Sequence, residues 1–95
     1  MQYKFKEDQT LKQIKKYIDE TYRSHYAQDK YQATDIIIDQ GLGEGFALGN
    51  IIKYVIRFGK KDGKSKNDLM KIVHYAIIAL FVLEQEEKVG QRLER

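Results

Sequence analysis

The chain contains no cysteine and no proline. Without thiols, a disulfide framework, a cysteine-ligated zinc site and thiol catalysis are all excluded. Without proline, nothing forces a break inside a helical pattern. Histidine is scarce. His25 and His74 are the only two and lie too far apart in sequence for a local metal motif. Any metal site would have to be carboxylate-rich and suited to magnesium. Long apolar runs are scarce as well: Ile72 to Leu83 is the most apolar stretch, and His74 and Tyr75 interrupt it. It is too short to span a bilayer and reads as a buried or intersubunit helix. Residues 1–8 lack the apolar run of an export signal, so the cytoplasm is the default compartment and no membrane partner is expected. A large excess of one charge is also missing. The net charge of +3 argues against a dedicated nucleic-acid binder.

What remains is the composition of a globular protein, 33% charged and 42% hydrophobic over 95 residues, read as one domain spanning 1–95. A domain this short buries only about two-thirds of the surface its unfolded chain exposes. Its thin margin of stability favours oligomerisation or a bound ligand.

The pattern predicts an all-α fold, a small bundle of about four helices with a long apolar C-terminal helix, assembled as a homo-oligomer. Tyr3 and Phe5 alternate with polar neighbours, as in a stub of strand or a packing arm. A first helix is predicted from Thr10, where Thr10 to Gln13 has the form of a capping box. Leu11, Ile14, Ile18 and Tyr22 share one face of it, and it fades near His25 or Tyr26. A short second helix is predicted from Thr34 through Ile38, with a strand as the alternative, stopped by Gly41. Residues 41–45 read as a glycine hinge. A third helix spans Phe46 to Phe58 and is closed by Gly59, with Leu48, Ile51, Ile52 and Val55 as its core face. A fourth opens at the capping box Ser65 to Asp68 and runs to about Glu87.

Two polar stripes stand out. Asn50, Lys53 and Arg57 fall three and four residues apart on the third helix, and Lys60 or Lys61 extends them. Two cations and an amide on an otherwise apolar helix suit an anion: Arg forks onto phosphate oxygens and Lys supplies a point charge. The bland alternative is the solvated face of an amphipathic helix. The fourth helix carries Asp68, Lys71 and Tyr75 at the same spacing. Asp68 either caps its helix or holds a magnesium ion beside a phosphate. Gly59 to Ser65 falls one residue short of a P-loop, and the runs needed for a surrounding parallel sheet are missing. The fold of a P-loop is therefore rejected, but Lys60, Lys61, Lys64 and the helix start still favour an anion.

From Ser24 to Tyr75 the sequence resembles the small phage nucleotide kinase-like family, long labelled a domain of unknown function. The resemblance rests on His25-Tyr26, Asp35, Phe46, the run Gly49-Asn50-Ile51-Ile52-Lys53-Tyr54-Val55-Ile56-Arg57, Gly59-Lys60-Lys61, and Asp68, Leu69, Lys71 and Tyr75. It implies a phage-encoded oligomer, in the host cytoplasm, that transfers phosphate to (deoxy)nucleoside monophosphates. On that reading His25, Arg57 and Asp68 are catalytic, with Asp68 the magnesium ligand. Tyr26, Asn50, Lys53, Tyr54, Lys60, Lys61, Lys71 and Tyr75 bind substrate. His74 is structural or interfacial. Two other classes stay open, a non-catalytic protein that sequesters nucleotides and an inhibitor of a host enzyme.

Overall fold

The computed structural model describes residues 1–60 and 63–93, with the backbone alone for 25–28 and 91–93. The described residues form four helices and no strand: α1 (Glu7–Arg23), α2 (His25–Asp39), α3 (Gly43–Arg57) and α4 (Lys66–Leu93). None is long and apolar enough to cross a membrane.

The N-terminal segment does not form a strand. Tyr3 and Phe5 are both exposed, and the Phe5 N–H donates to Glu7 Oε1 at 2.7 Å. Helix α1 begins three residues earlier than the capping box suggested. Lys6, in the left-handed region at φ 57°, precedes it, and Thr10 is already inside, its N–H donating to the Lys6 carbonyl at 3.0 Å. On the predicted α1 face, Ile14 is buried and Ile18 half-buried, but Leu11 and Tyr22 point outwards. Only Ser24, in an extended conformation, separates α1 from α2.

Helix α2 is the largest departure from the sequence reading. It is fifteen residues long, and Thr34 is not its cap but a buried residue in its middle. The Thr34 hydroxyl donates to the Lys30 carbonyl at 2.8 Å, so the side chain that signals a cap is satisfied by the preceding turn. The glycine run is not a hinge throughout. Gly41 takes a positive φ of 80°, whereas Gly43 and Gly45 already belong to α3. Gly43 lies where α3 meets α4: a Cβ there would stand 2.9 Å from Val82 Cγ2 and 3.0 Å from Ile38 Cγ1. Glycine permits that approach.

Gly59, at φ 84°, follows α3 as predicted. The Ser65 hydroxyl accepts the Asp68 N–H at 3.4 Å at the start of α4, the weak end of a capping contact. Helices α3 and α4 are the main packing pair. The core consists of Ala47 and Tyr54 from α3, Met70, Tyr75 and Val82 from α4, and Ile14 from α1. The predicted α3 core face is corrected here. Leu48, Ile52 and Val55 are exposed and Ile51 only half-buried, because α3 turns its Ala47 and Tyr54 side inwards.

Candidate functional site

The inward sides of the four helices enclose a cleft of about 650 Å³. Helix α1 contributes Tyr17 and Thr21, α2 contributes Lys30, Thr34 and Ile37, α3 contributes Phe46, Lys53 and Tyr54, and α4 contributes Lys71 and Tyr75. Its floor is aromatic. Tyr54 and Tyr75 lie nearly parallel with centroids 6.1 Å apart, and Phe46 meets Tyr75 edge-on at 5.8 Å.

Three ammonium groups converge on this floor. Lys53 Nζ stands 4.8 Å from the Tyr54 centroid, Lys71 Nζ 4.9 Å from the same ring, and Lys30 Nζ 5.3 Å from the Tyr75 centroid. Each is a cation–π distance. Among the described residues, the ion pairs are Lys15–Asp19 and Arg57–Asp68, and neither involves these three lysines. Asp29 is the cleft's acid. Burial alone would raise the Tyr54 phenol, but the Lys71 and Lys53 ammoniums outweigh it and hold the group below the usual tyrosine range. Positive potential is therefore concentrated at the cleft, without an internal counter-charge pairing these lysines.

The structure sorts the sequence-predicted residues into three groups. Lys53, Tyr54, Lys71 and Tyr75 meet in the cleft, so the two stripes face each other within one chain. Arg57 and Asp68 meet each other instead. The Arg57 Nε is 3.8 Å from Asp68 Oδ1, with the Asp68 side chain almost wholly buried. Arg57 also lies 5.9 Å from the Tyr54 centroid, so the pair braces that ring from behind. Asn50 donates to the Phe46 carbonyl at 2.8 Å and is not part of the cleft wall, and Lys60 and Lys64 are exposed at the turn. The side chains of His25 and Tyr26, and Lys61 as a whole, lie outside the described residues. His74 is buried and packs edge-on against Tyr17 at 6.2 Å. Burial first, and then Lys30, lowers its pKa.

The expected magnesium ligand, Asp68, faces its own chain. Asp68 is buried against a guanidinium, and no group of three His, Cys, Asp or Glu among the described residues is placed to hold an ion. Magnesium takes one or two carboxylates when waters and substrate phosphates complete its shell, and Asp29 is the acid in the cleft lining.

The sequence reading missed Lys30, Tyr17, Thr21 and Thr34. With α2 predicted only from Thr34, Lys30 had no helix to sit on. The spacing Lys30, Thr34, Ile37 is itself a helical stripe, and it would have shown the cleft face of α2.

Comparison with known proteins gives a family. Residues 21–77 match the model of DUF3310, a family of proteins of unknown function. The chain belongs to the DUF3310 family. The matched segment takes in α2, α3, the first part of α4 and every cleft lysine. It also covers the stretch that resembled a nucleotide kinase-like family, and that assignment is corrected: the match is to DUF3310, which carries no kinase description. No curated protein and no solved structure matches this DUF3310 chain.

Proposed function

We propose that the protein binds a nucleotide in the cleft, the phosphate engaged by Lys53, Lys71 and Lys30 and the base laid against Tyr54, Tyr75 and Phe46. The observation that carries this reading is the convergence of three ammonium groups on an aromatic floor, with no carboxylate among the described residues paired to them. Ammonium groups gathered in one cleft concentrate positive potential there, and an anion is drawn to it. A flat ring adds stacking against the tyrosines. The volume falls in the range of small-molecule sites.

Sequestration and phosphoryl transfer would both start from this bound state. Transfer would also require the charge on the transferred group to be neutralised, by the lysines and by magnesium carried on the phosphates. A sequestering role needs only the cationic pocket. The test is a calorimetric titration with nucleoside mono-, tri- and cyclic phosphates, with inorganic phosphate and a sugar phosphate as controls. Saturable binding of at least one nucleotide is expected, at least tenfold tighter than inorganic phosphate. Lys53→Ala and Lys71→Ala should each weaken it about tenfold or more, as loss of a charge-assisted contact does, with the helical circular-dichroism signal intact. Absence of binding by every nucleotide at millimolar concentration would defeat the reading.

A further inference from the structure

The outer side of the α3–α4 pair, which shares no lining residue with the cleft, is apolar and uncovered. Leu48, Ile52 and Val55 of α3 and Ile77, Leu80 and Leu83 of α4 are all between 43% and 60% exposed. Between the two helices runs a groove of about 330 Å³, with the small residues Ala76 and Ala79 in its lining and Glu44 and Glu86 as its acids. Ile52 and Val55 stand outside that lining, so the same face carries a ridge and a hollow.

The chain as a whole exposes more surface than a monomer of its size, and this face is part of that excess. One copy exposes 7843 Å². A folded monomer of its 11.2 kDa mass is expected to expose about 5,700 Å². The surplus, roughly 2,000 Å², exceeds the ~800 Å² that each partner contributes to a standard interface. The radius of gyration agrees: 15.5 Å, against about 12 Å for a compact chain of this length. Among the described residues no large side chain is fully buried, so the single copy has little core to offset that exposure. A cover of this size has to be present whenever the chain folds. A second copy of the same chain always is.

We infer that the α3–α4 outer face is a homodimer interface, packed isologously so that the Ile52–Val55 ridge of each copy enters the Ala76–Ala79 hollow of the other. Ridge-into-groove packing about a two-fold axis satisfies both faces at once. The cleft shares no lining residue with this groove, so the contact leaves it open. This inference stands independently of what the cleft binds.

The test is light scattering on the purified, nucleotide-free protein at about 10 µM, a concentration well above the dissociation constants of obligate interfaces, together with a dilution series of melting temperatures. Wild type should show twice the mass of one chain, and its melting temperature should fall on dilution. Leu80→Lys should halve the mass, because Leu80 is 60% exposed in one copy and tolerates a charge only there. Leu11→Lys, at an equally exposed α1 position, should leave the mass unchanged. If Leu80→Lys fails to fold, the wild-type mass and dilution series still decide. A wild-type mass of one chain, or a melting temperature independent of concentration, overturns the proposal. So does a dimer indifferent to Leu80→Lys.

Discussion

Tyr31 holds a buried hydroxyl with no hydrogen-bond partner among the described residues. Burial first, and then the neighbouring Tyr22, Tyr17 and Tyr75, pushes its pKa up to about 12. Its ring already has a use, stacked on Tyr22 at 4.3 Å. Tyr31→Phe should therefore raise stability by about 1 kcal/mol, because a desolvated, unpaired hydroxyl is removed and the stack is kept; a urea titration measures it. His74 supplies a pH dependence. It faces Tyr17, Tyr31, Tyr75 and Lys30, and its folded pKa lies below the ordinary 6.5. The unfolded chain thus takes up the proton first as pH falls. The associated stability is present above about pH 6.5 and is lost below it. The urea midpoint of wild type should drop as the pH falls below about 6.5, and His74→Leu should flatten that drop. At this scale the sequence was most informative where spacing alone decides. Lys53, Tyr54, Lys71 and Tyr75 could be placed on common stripes by counting. The Arg57–Asp68 pair could not, because it depends on how two helices cross.

Helix identities were legible, and their boundaries less so. Both α3 and α4 follow from apolar periodicity, from Gly59 and from Ser65. The start of α1 depends on a left-handed Lys6, a conformation that residue type does not advertise. Helix α2 was underestimated because a mid-helix Thr34 looks like a cap until its hydroxyl is seen bonding the Lys30 carbonyl. The junction of α3 with α4 depends on an absent side chain. Gly43→Ala would push a methyl into Val82 and Ile38, and overpacking of this kind costs about 1–3 kcal/mol. Chemical denaturation should show that loss. Gly45→Ala, with nothing near its Cβ, should lose none, and it would gain from alanine's higher helix propensity.

For the whole molecule, the all-α class was legible and the distribution of the core was not. Periodicity says that α3 has an apolar side, but it does not say which side faces its own chain. The fold turns the Ala47 and Tyr54 side inwards and leaves the aliphatic side out, so the aliphatic residues that looked like core became surface. Amphipathicity ranks the faces of a helix by polarity, whereas packing assigns them by geometry. The cleft chemistry therefore occupies the place usually held by a dry interior, which is consistent with the small number of buried hydrophobic residues.

The unequal packing of the helices also has a consequence for motion. Helices α3 and α4 hold each other extensively, while α1 and α2 are attached by much smaller contacts and joined to each other through the lone extended residue Ser24. Regions with few tertiary contacts open at lower free energy than the rest of a fold. Backbone amides of α1 and α2 should exchange with deuterium well before those of α3 and α4. Since Lys30 rides on α2 while Lys53 and Lys71 ride on the slower pair, an anion shared by all three would tie the loose half to the firm one. Slower exchange in α2 on adding ligand, with little change in α4, would be its signature.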